Sequence, residues 1–372
     1  MLAKIKTIIK LILQRLKVLG KEQNEYYQFK RIKFIESVKL EKTYVRAHIV
    51  GCGAMGRQIA HVINSIEGWQ IVSAFDKNLE SISKLSLQLN KQIAASQNLD
   101  QFLGGVGKED VLIIATTANS HYDLASQALK SGIKKIFIEK PICTSLADAE
   151  SLIQLAKLNS ATVYVDHLRR WTATAESIDR LIRTDSIGKI ITIHYVFGRA
   201  GFAMIGTHIF DYCRMLAKSN IMEVRGLLDS IHRPTWRGAE FIDPSGSCEV
   251  KMENGIKVIV DLSDNLEIQQ DFLIIFCERG RLEVDQRNER IRMIGPSGVE
   301  WQKHYPWKEM VNYGLGLSLS ELSRNIPPRC SLIDGKAALE ATIAVHESSK
   351  IGGNWIQLPL RGKIINEKFS FA

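Results

Sequence analysis

The sequence predicts an α/β protein in two parts: a doubly wound parallel sheet, then an α+β domain built on an open, mainly antiparallel sheet. Three observations lead there. From residue 46 to residue 166, strand-like apolar runs alternate with helix-like patterns, the rhythm that builds parallel sheets. The first run ends in Gly51, Gly53 and Gly56 and passes directly into a helical pattern from Ala54 to Ile66. Beyond His167, short extended stretches broken by Asn254-Gly255 and Arg279-Gly280 replace the alternation, as an antiparallel sheet requires.

The glycines carry the first chemical signal. G-x-G-x-x-G between a strand and a helix permits a tight turn, a close approach of pyrophosphate to backbone, and close helix–strand packing. The helix N-terminus adds free N–H groups and partial positive charge for phosphates. Glycine turns also serve as plain structure. Asp76, twenty residues past Gly56 at the end of the Trp69–Phe75 run, tips the reading toward a dinucleotide, because a carboxylate there can accept hydrogen bonds from a ribose.

The remaining elements follow in order. After Asp76 a helix to about Asn90 and a loop with Gly104, Gly105 and Gly107 are expected. Val111–Ala115 is continuously apolar, the mark of a strand buried on both faces, and Thr116 to His121 follow it. A helix then runs to Lys130, with Gly132 as its stop. Strand Lys135–Ile138 enters Glu139-Lys140-Pro141, and a helix over Ser145–Leu158 and a strand over Thr162–Val165 complete the alternation. Ligands bind beyond the carboxyl ends of such strands, where Asp76, Thr116, Asn119 and Lys140 fall.

Length and composition bound the function. The 372 residues exceed one ordinary domain, and the boundaries read as 1–45 for an extension, 46–166 for the nucleotide domain, 167–362 for the second domain and 363–372 for a tail. No run approaches the ~18 apolar residues of a membrane span. Six scattered cysteines without metal-ligand spacing suit free thiols in a reducing cytoplasm, with no metal expected. The net charge of +9 is local: residues 1–46 hold 12 Lys/Arg against 4 Asp/Glu, and the remainder is nearly balanced. With no zinc-finger or RNA-binding signature, a nucleic-acid partner is not expected.

The basic extension has its own pattern. Leu2, Ile5, Ile8, Ile9, Ile12, Leu13, Leu16 and Leu19 share one side of a helix, with lysines and Arg15 on the flanks and opposite side. Residues 1–21 therefore suit an anionic membrane surface at the inner face, or packing on a partner or on the protein's own body, or disorder until bound.

At Glu139-Lys140-Pro141 the chain resembles the glucose–fructose oxidoreductase/inositol dehydrogenase/rhizopine-catabolism family (Gfo/Idh/MocA). The resemblance covers roughly residues 46–360. It rests on the glycine loop, Ala115-Thr116-Thr117-Ala118-Asn119-Ser120-His121, Glu139-Lys140-Pro141 and Asp166-His167-Leu168-Arg169-Arg170-Trp171. Gly206-Thr207-His208-Ile209-Phe210-Asp211 and Asp334-Gly335-Lys336-Ala337-Ala338-Leu339-Glu340 complete it.

The resemblance implies a nicotinamide-dependent oxidoreductase acting on a sugar, sugar nucleotide or cyclitol. It implies Lys140 and His208 as catalytic groups that also meet the substrate, with Arg169 and Arg170 beside them. Gly51, Gly53, Ala54, Met55, Gly56 and Asp76 are the expected cofactor residues, joined by Thr116, Asn119, His121 and Glu139. Asp76 favours NAD; Lys77 beside it keeps NADP as the alternative. A homo-oligomer, dimer or tetramer, is expected through the open sheet.

One position departs from the family pattern. An aspartate usually precedes the histidine by four residues, and here that position is Met204. A thioether neither accepts a proton nor orients an imidazole. Two hypotheses follow: an active dehydrogenase using Lys140 and His208, or a cofactor-binding member with lost or altered chemistry acting as a membrane-associated or partner subunit. A transient-redox epimerase or lyase lies between them.

Overall fold

The computed structural model describes residues 44–183, 187–230, 238, 240–263, 270–286, 290–304 and 307–371. The basic helix expected over residues 1–21 lies outside them.

The first layer is a six-stranded parallel sheet. Its strands are β1 (Val45–Val50), β2 (Trp69–Phe75), β3 (Ala94–Ser96), β4 (Val111–Ile114), β5 (Lys135–Ile138) and β6 (Thr162–Val165), in the order β3-β2-β1-β4-β5-β6. This is the doubly wound Rossmann order, with the strand sequence reversing between β1 and β4. Strands β4 and β5 are buried at every position, which is why they read as unbroken apolar runs. Helices α1 (Ala54–Ser65), α2 (Leu79–Leu89), α3 (Leu99–Gly104), α4 (Ala118–Lys130) and α5 (Leu146–Leu158) connect them. The caps are chemical: Asn78, Asn98 and Ser145 each accept a backbone N–H of the first turn. The loop expected after Asn90 instead contains β3 and α3. Ala-Ala-Ser is too short to show a period, and it is a strand because β2 offers it a free edge.

A 3-10 turn (Leu168–Trp171) and α6 (Ala173–Arg183) lead to a nine-stranded sheet. Its strands are β7 (Ile190–Val196), β8 (Ile221–Leu228), β9 (Gly246–Met252), β10 (Lys257–Asp261), β11 (Phe272–Cys277), β12 (Gly280–Asp285), β13 (Arg290–Gly295), β14 (Gly298–His304) and β15 (Ile356–Gln357). All pairings are antiparallel except β7 with β10. The expectation of a mainly antiparallel sheet holds. One face of this sheet packs on α7 (Thr207–Ala217) and α9 (Leu332–Lys350), with Tyr195, Val224, Val250, Val260, Ile275, Leu282 and Val345 in one core. Helix α8 (Trp307–Ser323) packs on the 3-10 turn and on β5, and α9 also packs on α5. These helices join the two sheets, and Val45–Ser65 with Trp69–Ala372 form one compact unit.

The segment read as a tail is docked. Phe371 is buried and stacks on Phe369, His346 packs against both, and Phe369 N–H donates to Thr144 O. Among the described residues no helix is long and apolar enough to cross a membrane.

Candidate active site

The glycine turn is shaped by close contacts. Gly51 has φ +91°, and a Cβ there would sit 2.5 Å from Ala115 O. At Gly56 a Cβ would sit 1.9 Å from Gly51 O, so only glycine lets α1 approach the turn. Gly53 differs: nothing lies within 4 Å of an added Cβ, and it borders open space at the N-terminus of α1. That opening belongs to a cleft of about 710 Å³ along the carboxyl ends of β1, β2, β4 and β5. A tight turn, an open glycine and free helix N–H groups are what a pyrophosphate needs.

Most of the expected cofactor residues meet there. Gly51, Gly53, Ala54 and Met55 line the cleft on one side, Asp76 at the end of β2, and Thr116, Asn119, Glu139 and Lys140 across it. Asp76 is pinned: Oδ2 accepts Cys52 N–H at 2.7 Å and Oδ1 accepts Asn78 N–H at 2.8 Å. Each oxygen keeps a lone pair for a ribose hydroxyl. Gly56 works behind the wall, and His121 does too. The His121 ring is fully buried and lies between Pro141 O (2.8 Å from Nδ1) and Thr116 O (3.2 Å from Nε2), tying two wall segments together. Lys77, Leu99, Asp123 and Gln127 also line the cleft and carried no motif.

Lys140 is buried at the end of β5, and its Nζ donates to Met204 O at 2.6 Å. The position that departs from the family pattern thus meets the lysine through its backbone. Met204 lies in a π-helical turn (Phe202–Gly206) that runs into α7. The turn is clamped by Asp243, whose oxygens accept Ala203 N–H at 2.7 Å and Met204 N–H at 2.8 Å. Gly201 makes room: a Cβ there would sit 2.0 Å from the Asp243 carboxyl carbon. Asp243 went unnoticed in the sequence, since a clamp reaching back 39 residues leaves no local signal.

Below Lys140 the charges are buried. Asp166 and Glu139 face each other, and burial pushes the Asp166 carboxyl well up, with Glu139 adding and Lys140 opposing. Arg170 grips Asp211 with two bonds of 2.7 Å and reaches Asp334 at 3.1 Å. Arg169 reaches Asp271 at 3.3 Å and Tyr195 Oη at 3.2 Å, and Tyr195 in turn donates to Asp271 at 2.6 Å. Both arginines, expected beside the substrate, have carboxylate partners inside the protein and do not line the cleft.

His208 is half-buried near the start of α7. Burial, then Lys140, Arg169 and His167, lower its pKa well below the usual imidazole value, so the ring is neutral near pH 7. Its ring centroid lies 5.4 Å from that of His167. His167 is buried with Nδ1 3.5 Å from Asp211 Oδ1 and 3.5 Å from Cys330 Sγ. Burial would raise the Asp211 carboxyl, but His167 and Arg170 outweigh it and hold it at about 2. These three donor atoms lie within 4.8 Å of one another, but the Asp211 charge is already taken up by Arg170.

The fold and this cleft define the class, an NAD-binding Rossmann oxidoreductase. Residues 45–167 match the Gfo/Idh/MocA family model, described as "Oxidoreductase family, NAD-binding Rossmann fold". The chain is 22% identical over 252 residues to the uncharacterised oxidoreductase YhhX of Escherichia coli, covering 63% of this chain and 70% of that one. It is 27% identical over 196 residues to the NAD+-dependent scyllo-inositol 2-dehydrogenase of Bacillus subtilis, covering 49% of this chain and 56% of that one. An Agrobacterium radiobacter oxidoreductase crystallised with NAD+, L-tartaric acid and magnesium has the same fold, with TM-score 0.72 and 17% identity over 85% of this chain and 98% of that one.

Proposed function

We propose that the protein oxidises a hydroxyl, or reduces the corresponding ketone, on a sugar, sugar nucleotide or cyclitol, with Lys140 and His208 as the polar catalytic groups. The observation that carries this is one contact: Lys140, in the wall of the NAD cleft, donates to the turn that leads into His208. When bound, NAD supplies the hydride acceptor, and Gly51, Gly53, Met55 and Asp76 would hold it.

The two groups divide the work. The Lys140 ammonium sits where negative charge develops on the substrate oxygen, the role of an electrostatic clamp. Neutral His208 takes the hydroxyl proton. Met204 offers that ammonium a backbone carbonyl where the family pattern has a carboxylate. Asp76 favours NAD over NADP, because a carboxylate repels a 2′-phosphate. Arg169 and Arg170 support the floor through their carboxylate partners.

A panel of sugars, sugar nucleotides and inositols with NAD+ and NADP+, read by the absorbance of the reduced nicotinamide, tests the proposal. Turnover of one class with NAD+ supports it. Cofactor binding with no turnover on any member would instead favour the reading of altered chemistry that Met204 motivates.

The open face of the nine-stranded sheet is proposed as a contact between copies. Leu227 and Ile259 are exposed on it, and Trp355 lies beneath Lys251 and Arg225. Mass measurement by light scattering should give a dimer or tetramer, and Ile259→Lys should shift it toward monomer.

A further inference from the structure

We infer that His167 and Asp211 form a hydrogen-bonded chain to His208 that fixes its tautomer, Nδ1 protonated, and leaves Nε2 as the base that meets the substrate. This rests on the role just proposed for His208.

Two buried nitrogens point to the chain. His167 Nε2 and His208 Nδ1 are both shielded from solvent and neither has a hydrogen-bond partner in the structure. An orphaned buried polar atom is costly, and two on adjacent rings satisfy each other if one donates and one accepts. The ring centroids are 5.4 Å apart. With each nitrogen about 1 Å from its centroid, rings turned nitrogen to nitrogen leave about 3 Å between them, hydrogen-bond range.

The direction of the chain follows from its far end. Asp211 is an anion held in place by the two bonds from Arg170. Its Oδ1 lies 3.5 Å from His167 Nδ1, long for a hydrogen bond but close enough for the carboxylate to favour a proton on that nitrogen. The Cys330 thiol, kept protonated by burial, lies 3.6 Å from the same oxygen and is a donor too. The chain takes His167 with Nδ1 protonated and Nε2 bare, so that Nε2 accepts. His208 Nδ1–H then donates to it, and the remaining lone pair is on His208 Nε2. When His208 takes the substrate proton onto Nε2, the imidazolium is stabilised through His167 by Asp211. The carboxylate absent at Met204 is supplied by Asp211, three residues beyond His208 on α7, through an intervening imidazole. His167 and Asp211 are positioning residues; of these three, His208 is the one that touches the substrate.

Nitrogen-15 imidazole spectra of the full-length protein, with His208 and His167 assigned by their loss in H208Q and H167F, read the tautomers directly and need no substrate. The expected wild-type result is Nδ1–H for both rings. In His167→Phe the His208 signature should lose its Nδ1–H dominance, and in His167→Gln, whose amide oxygen can accept, it should be partly restored. A His208 ring protonated on Nε2 in the wild type overturns the inference, as does a His208 tautomer unchanged in His167→Phe. The wild-type spectrum stands even if a variant fails to fold. If the substrate panel gives no turnover while the tautomers are as expected, the redox reading falls and the chain stands; the reverse outcome separates them equally.

Discussion

The glycine turn and the floor beneath Lys140 solve opposite problems. At Gly51–Asp76 the protein removes side chains and leaves backbone groups exposed: Gly53 opens onto the cleft and the α1 N-terminus is free. Beneath Lys140 it does the reverse, burying Arg169, Arg170, Asp166, His167 and Asp211 and pairing the arginines internally. The first region binds by what it leaves out, so local geometry decides it. The second works by electrostatic preorganisation, so its stability depends on partners brought from distant segments.

The comparison breaks most readily at Asp211. Asp211→Ala leaves the Arg170 guanidinium buried without its main partner, and removing one member of such a pair costs about 3–5 kcal/mol, to be read by urea unfolding. If the loss is below about 1 kcal/mol, the floor is not held by this pair. Gly56→Ala attacks the other region. A Cβ 1.9 Å from Gly51 O forces the turn open, costing about 1–3 kcal/mol, and NADH affinity by fluorescence titration should fall at least about tenfold.

Asp243→Asn sharpens the contrast between binding and chemistry. An amide cannot accept two N–H groups with two oxygens, so the π turn loosens at a cost of about 1–3 kcal/mol. The rate of any reaction found with the substrate panel should fall while NADH affinity stays unchanged. A matching loss of affinity would mean the two regions are coupled through Lys140.

The smallest effect is on pH. His346, packed among Phe369 and Phe371, is lowered to about 4 by burial, then by Lys350, and His208 is lowered in the same direction. The unfolded chain therefore binds these protons first as pH falls. Their contribution is whole above about pH 6.5 and is lost progressively toward pH 4. Unfolding midpoints across that range should show the slope, and His346→Leu should flatten part of it.

Much of the first region was legible because its signals are short. Three glycines, a strand ending in Asp76 and a helix following within one turn act over about thirty residues, and apolar runs buried on both faces name the parallel strands. Lys140 and His208 were marked by motif, and the first lies in the cleft wall. Arg169 and Arg170 were marked in the same way, but a motif records a residue and not its partner. Asp271 and Asp211, which take up their charge, lie 102 and 41 residues away.

The amino-acid pattern by itself determined the doubly wound sheet, the dinucleotide edge and the antiparallel character of the second domain, because periodicity and turn chemistry are local properties of the chain. Tertiary structure alone decided what Met204 does, where Asp243 clamps, and that His167 stands between Asp211 and His208. Those contacts join segments far apart in sequence, and their energies depend on burial and distance that only the packed chain sets.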